Sequence, residues 1–538
     1  MKHKFSRLVV SLAILGVFSP SAISAVDSQT KKIALLESQV ADLQKQMHAL
    51  KKQGNNQADP PATKKTTVAA NANPPGMTPS KNPQIQGPTD LPITGPLYLP
   101  VDLDVPGQSF VSSGPYIGIP LEFSGGNLII NTPSVNEDVI LLNVDLNVDK
   151  RLRAMGRDPE GIGSHILLSG LVEGQALYRN GGGASSDSTD IDLTSVNLDA
   201  YILGPSPWTS AFIEFAYDNN IGTQTGSFSN NDRVLDSRVF VNKAFIVLGD
   251  FTRSPYYASL GQMFVPFGVY STTMVSSPLQ KILARTPARA AVVGYKSQSE
   301  NSLLATGYIF NGPTQTDNTN RINNAGVNLS YKFTKGEKFS ATFGGGIIKN
   351  IADSGGMQIT GNNNFNPPLF GGFGGPIETF TNTAGVVEQV ATGDENLVHQ
   401  VPAVDANMKL GMGDFQFIGE YITAIRHFSP ADMTFNGDGA QPQAMNVELV
   451  YNIPYFVNPT SVGVSYQWSQ DALAIGLPSQ RYSLTINRSF WKNTLQSLEF
   501  RRDYDYERGD TSTGSGIAGP TGTSGIVNMI TFQFDYYF

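Results

Sequence analysis

Three cations, Lys281, Arg285 and Arg289, lie in the run Gln280-Lys281-Ile282-Leu283-Ala284-Arg285-Thr286-Pro287-Ala288-Arg289. Guanidinium forks bind carboxylates through paired hydrogen bonds, so such a run at a narrow point of a conduit would draw anions; in an external loop the same charges are merely solvated. A second set of charges lies in 494–507. There an extended chain puts Glu499, Arg501, Asp503, Asp505 and Glu507 on one face, and Leu498, Phe500, Tyr504 and Tyr506, with Arg502, on the other. The mixed-sign face can form part of a transverse field across a pore, with Arg501 as a solute-facing cation, or its charges can simply satisfy one another. Asp503-X-Asp505-X-Glu507 lacks the glycine and terminal glutamate spacing of an EF-hand, so no calcium site is expected.

Catalytic chemistry finds little support. The five histidines, His3, His48, His165, His399 and His427, show no close metal-ligand spacing, and there is no cysteine nucleophile. A glycine-X-serine-X-glycine elbow and a phosphate loop are missing from the sequence, and no strand-turn-helix dinucleotide unit is read in it, so neither an enzyme nor a cofactor is expected. Ser, His and Asp assembled from distant strands would be the remaining catalytic route. A formal net charge of -8 argues against nucleic acid as a partner.

The elements that must position these charges are legible at both ends of the chain. Ile530, Phe532, Phe534, Tyr536 and Phe538 alternate with Thr531, Gln533, Asp535 and Tyr537, a period of two that suits a strand with lipid on one side and a wet lumen on the other. Phe532, Phe534, Tyr536 and Phe538 look like the C-terminal signal that the barrel-assembly machinery of Gram-negative outer membranes reads. At the other end, Lys2, Lys4 and Arg7 precede an apolar run from Leu8 to Phe18 and the small residues before Ala25, the pattern of a secretory signal peptide over 1–25.

Over 26–54, Ile33, Leu36, Val40, Leu43, Met47 and Leu50 form a heptad seam that stops at Gly54. It predicts a periplasmic coiled coil joining several copies, with a trimer favoured and a dimer or a single packed helix left open. The Pro-rich stretch assigned to 55–115 reads as an extended linker with too little apolar surface to fold. Residues 116–163, including the mixed alternation of Val139 to Val148, read as a periplasmic cap or a first strand, and whether they plug a pore is open.

From 164 to 538 the pattern is strand, turn, strand. Ala325, Val327, Leu329, Tyr331 and Phe333 alternate with polar or small residues, and Val404 to Leu410 lead through Gly411-Met412-Gly413-Asp414 into Phe415 to Thr423, a hairpin with a tight turn. Spanning strands of about 9 to 11 residues plus their connections take roughly 25 residues each, which gives an antiparallel outer-membrane β-barrel of about 16 strands with a lumen too wide for its side chains to fill. Hydrophobic residues amount to 40%, dispersed rather than in helix-length runs, as such a barrel requires. The Gly- and Asn-rich piece Gly355 to Gly375 lacks alternation and is expected to be an external or inward-folding loop.

The most specific internal segment runs from Leu260-Gly261-Gln262-Met263-Phe264-Val265-Pro266-Phe267-Gly268 through Thr272-Thr273-Met274 to Ser276-Ser277-Pro278-Leu279. Pro266 cannot donate to a ladder and must sit at a strand end or bulge, with Gly268 allowing a turn. The segment resembles, at Gly261, Gln262, Pro266, Phe267, Gly268, Met274 and Pro278, a stretch of the LbtU family of siderophore porins. That resemblance implies an outer-membrane barrel with an N-terminal periplasmic coiled coil, carrying ferric siderophore. The family continues with acidic residues where this chain has Lys281, Arg285 and Arg289, which suits an anionic, citrate-type cargo. The expected function is a porin-type channel for passive uptake of small hydrophilic solutes. The alternative is a structural or adhesive anchor that organises the envelope through its coiled coil.

Overall fold

Period-two alternation is realised as sixteen antiparallel strands, each hydrogen-bonded to the next and the last to the first. The computed structural model describes residues 102–105, 109–113, 135–154, 165–181, 187–204, 206–218, 238–316, 321–336, 338–359, 370, 372–373, 377–381, 387–391, 397–456, 458–491, 493–515 and 517–538. The signal-peptide and coiled-coil readings, and most of the linker, lie outside these residues. Among them, no helix is long and apolar enough to cross a membrane.

The barrel strands are β1 (His165–Gly181), β2 (Ser188–Leu203), β3 (Thr209–Asp218), β4 (Arg238–Gly249), β5 (Tyr256–Phe264), β6 (Pro287–Lys296), β7 (Ser302–Phe310) and β8 (Asn324–Lys335). They continue with β9 (Phe339–Ile348), β10 (Ala403–Met412), β11 (Phe415–Ala424), β12 (Gln443–Asn452), β13 (Thr460–Gln470), β14 (Gln480–Arg488), β15 (Thr494–Tyr504) and β16 (Ile526–Tyr537). One end carries tight turns, such as Gly413-Asp414 between β10 and β11, where Gly413 takes φ 58. The other carries the long connections, of which β9–β10 is the longest. Two of them share a small sheet in which Met433–Phe435 pairs with Thr511–Gly514.

The ring closes where β16 pairs with β1 from Val527↔Gly181 to Tyr537↔Leu171. Phe538 completes the seam: its N–H donates to Gly170 O at 3.0 Å and its carbonyl accepts from Gly170 N at 2.8 Å. Its ring occupies the space a side chain at Gly170 would need, since a Cβ there would meet Phe538 ring carbon at 2.3 Å. The β1 edge runs beyond the end of the chain, and the strand Ser109–Ser113 takes it up in parallel, Phe110↔His165 to Ser113↔Leu168. Ser109–Ser113 is itself hairpinned to Asp102–Val105. The last part of the stretch read as an unfolded linker is therefore a hairpin; its sequence, with Leu103, Val105, Phe110 and Val111 and few prolines, has the β-forming residues that the preceding stretch lacks.

Outward positions are apolar and bare: Val293 is 63% exposed, Leu260 63%, Leu329 56% and Phe532 45%. The apolar core lies inside the barrel, where inward residues of β2–β9 such as Tyr201, Phe212, Phe245 and Val292 pack on three helices, α1 (Glu137–Ala154), α2 (Leu279–Ala284) and α3 (Gly355–Ile359). The Val139 to Val148 stretch is thus part of a helix rather than a strand. Its run of four apolar residues fits either period, and Glu137 and Asp138 at the start favour the helix N-terminus. Lys243 on β4 anchors α1, with Nζ 2.7 Å from both Glu137 and Glu214, and Ser259 Oγ donates to Asp138 at 2.6 Å. The expected loop at Gly355 to Gly375 starts with α3, folded inward. Gly356 lies against Ile282 O, too close for any side chain, and buried Phe370 and Phe373 belong to the same core.

Overpacking the seam tests closure. Gly170→Val should lower the temperature at which the barrel loses its fast electrophoretic mobility by roughly 5 °C. Gly307→Val, where an added Cβ meets nothing within 4 Å, should leave it unchanged.

Candidate functional site

The connection from β5 to β6, residues 265–286, does not stay at the rim. Pro266 ends β5 as its missing N–H requires, and Gly268 at φ 77 turns the chain so that the Tyr270 ring covers it and Tyr270 Oη donates to Phe267 O at 2.6 Å. The segment then crosses to the far wall, where inward side chains of five successive strands receive it. Glu420 on β11 accepts from Val269 N at 2.6 Å and Tyr270 N at 2.7 Å. Glu448 on β12 accepts from Thr273 N at 2.9 Å and from the Thr272 hydroxyl. Gln467 on β13 accepts from Leu279 N at 3.0 Å, Arg481 on β14 donates to Ser277 O at 3.0 Å, and Glu499 on β15 accepts from Ser276 N at 2.9 Å. Hydrogen bonds to charged groups contribute about 1.5–3 kcal/mol each, and here they replace the water that the loop backbone loses. The resemblance motif is this strut: Phe267 and Met274 are fully buried, and Pro278 is the N-cap of α2.

Lys281 on α2 and Arg285 at its C-cap are four residues apart, both half-buried. The Arg285 guanidinium lies over the Phe264 ring, 4.3 Å from its centroid. The Lys281 ammonium is pushed down to about 7, first by burial and then by the Arg285 charge, with Glu173 on β1 pulling the other way. Arg289 is not with them. It lies on β6, where alternation sets it on the outward face with exposed Val293, because the strand starts two residues earlier and the run of cations passes from helix to sheet.

Arg501 does face inward, on the face of Glu499 and Asp503, and it lines a cavity of ≈ 500 Å³ at the long-connection end. Arg179 of β1 and Arg481 of β14 join it there with Asp503 and Asp505. Asp503 binds Arg481 Nε at 2.8 Å and Nη2 at 3.1 Å, and Arg501 Nε lies 3.3 Å from it. Asp505 is turned into its own loop, accepting from Tyr506 N at 2.8 Å and Thr523 N at 3.0 Å. His399 and His427 contact the carbonyls of Gln400 and Gly439, and among the described residues no group of three or more His, Cys, Asp or Glu is placed to hold a metal.

Sequence reasoning registered Glu499 but passed over Glu420, Glu448, Lys243, Arg179 and Arg481. The available signal was parity: Glu420 sits among the residues alternating with Phe415, Phe417, Gly419 and Tyr421, and Glu448 among those alternating with Met445, Val447, Leu449 and Tyr451, each a charge at mid-strand on the face opposite the apolar one.

No protein-family model matches the chain. It is 34% identical to a UPF0422 protein of Coxiella burnetii over 439 residues, 80% of this chain and 84% of that protein. It is 36% identical to a UPF0422 protein of Legionella pneumophila (strain Paris) over 425 residues, 78% of this chain and 73% of that one. Among solved structures it is similar to the outer membrane channel DcaP of Acinetobacter baumannii, at 12% identity, 70% and 98% coverage and a TM-score of 0.41. It is also similar to an anion-selective porin from Comamonas acidovorans, at 12% identity, 70% and 100% coverage and a TM-score of 0.42.

Removing the carboxylates should free the strut. In a Glu448→Ala/Glu499→Ala variant trypsin is expected to cut after Lys281 or Arg285 at least about tenfold faster than in the native barrel, each lost charge-assisted bond contributing more than 1.4 kcal/mol. The fragment masses read by mass spectrometry report it.

Proposed function

The chain belongs to the UPF0422 family, and we propose that it forms a porin-type outer-membrane channel through which small hydrophilic solutes pass down their gradient. The observation that carries this reading is the two-faced closed sheet. Unpaired apolar side chains cover the outside of a ring in which every strand has two neighbours, and a solvent of lipid is what stabilises such a surface. Inside, one wall packs against helices, while the β12–β16 wall is polar, with Asn446, Gln467, Thr485, Asn487 and Gln533 turned inward.

The basic pair Lys281–Arg285 on the strut favours anions, and the resemblance to siderophore porins supports a ferric siderophore of polycarboxylate type as cargo. In this reading three copies are joined by the heptad seam on the periplasmic side. The rival, an anchor whose barrel is merely a foot in the membrane, draws on the three helices packed inside the ring.

Planar bilayers separate the two. The channel gives discrete ohmic steps, whereas silence from a barrel that passes the electrophoretic folding test means an anchor. Lys281 supplies a sign: with its pKa near 7 it is neutral above and charged below, so preference for chloride over potassium should rise as pH falls from about 8 to about 6. Lys281→Met should remove most of that rise.

A further inference from the structure

We infer that the cavity at the long-connection end is a binding site for small polycarboxylates, held by the guanidinium forks of Arg179 and Arg501. This deepens the channel reading and rests on it for the fate of the bound solute.

The case is one of acceptors. Three guanidinium groups line the cavity. Arg481 is used up, since Nε and Nη2 go to Asp503 and Nη1 goes to the Ser277 carbonyl. It braces the strut and aims Asp503. Arg501 has only a longer approach to the same carboxylate through Nε, 3.3 Å, and its terminal nitrogen points at the thioether of Met529, a weak acceptor for a charged donor. Arg179 faces inward from β1 in the parity of Glu173 and Gln175, and among the described residues it is paired with no carboxylate. It stands within electrostatic reach of Arg501, where the two like charges oppose each other. Bringing Arg179, which has no carboxylate partner among the described residues, towards Arg501, whose one close carboxylate contact is the 3.3 Å approach to Asp503, is unfavourable until an anion arrives, and a planar fork matches a carboxylate.

Two forks call for a solute with at least two carboxylates. The cavity's size, ≈ 500 Å³, is that of a small-molecule site. Pro478, Pro520 and Leu477 contribute apolar wall to the same cavity and add no side-chain donors that would compete for the anion.

Isothermal titration of the detergent-solubilised full chain decides the matter, with citrate as the probe and acetate and inorganic phosphate for comparison. Citrate is expected to saturate, acetate not to, and phosphate to bind at least about tenfold more weakly than citrate. Arg179→Ala, at an exposed strand end, should weaken citrate about tenfold, and Arg179→Ala/Arg501→Gln should abolish its heat, each fork's bonds contributing at least 1.4 kcal/mol. The inference is overturned if citrate gives no saturable heat with the native chain, if the double variant binds it as tightly, or if acetate or phosphate binds equally well. Absence of conductance with citrate binding intact would sink the channel reading and leave the site standing.

Discussion

A sheet that meets lipid has no water to complete its backbone hydrogen bonds, so every strand needs a partner on each side. The structure meets that requirement by joining β16 to β1 along eleven paired positions and through both backbone groups of the terminal Phe538. Everything else in the molecule is arranged within the ring this creates. Because the outer face must be apolar, all the chemistry is pushed to the inner one, and the strand period of two fixes which residues those are. Arg289 and Arg285 are four positions apart, yet one is outside the ring and the other inside it.

The interior is asymmetric. Half of the wall, β2 to β9, is lined by aromatic and aliphatic side chains that accept the helices as a soluble protein's core would. The other half turns carboxylates and amides inward, and these bond the backbone and the hydroxyls of 265–286. The loop is tied to the wall through its backbone and through short polar side chains such as Thr272 and Ser276, and none of those bonds uses the Lys281 or Arg285 side chain. Other inward acids, Glu173 for Lys281 and Glu214 for Arg285, offset the strut's cations, so the polarity inside the ring is a local matter that the chain's net charge does not reveal.

Much of this was legible in the amino-acid order. The barrel class, a strand count of about sixteen, the tight turn at Gly413 and the outward set ending in Phe538 all follow from period two, a signal repeated so often that errors in single strands cancel. Pro266 and Gly268 marked where β5 had to end, but nothing local says that the chain then turns inward, because the partners of Val269 and Thr273 lie more than a hundred residues away. The helix at 137–154 was missed for a related reason: inside a barrel it needs no clean amphipathic stripe, since a polar residue such as Asn143 finds a partner even on the mainly apolar wall, in Lys296. Grouping Arg289 with Lys281 and Arg285 assumed one element where there are two. The inward guanidinium pair Arg179 and Arg501 comes from opposite ends of the barrel sequence and becomes visible only once the ring is shut.

The seam also governs how the molecule comes into being. Neighbouring strands are joined by connections that bring them together early, but β1 and β16 are separated by most of the chain, and the entropy of closing so long a loop is met only after the intervening hairpins have formed. Until then both terminal strands are open templates for foreign chains. The parallel strand Ser109–Ser113 lies on β1 next to the place reserved for Phe538, so the first edge is partly masked by residues that are synthesised before it. In the closed ring that strand takes up the stretch of the β1 edge that lies past Phe538, so no length of it is left as an open template.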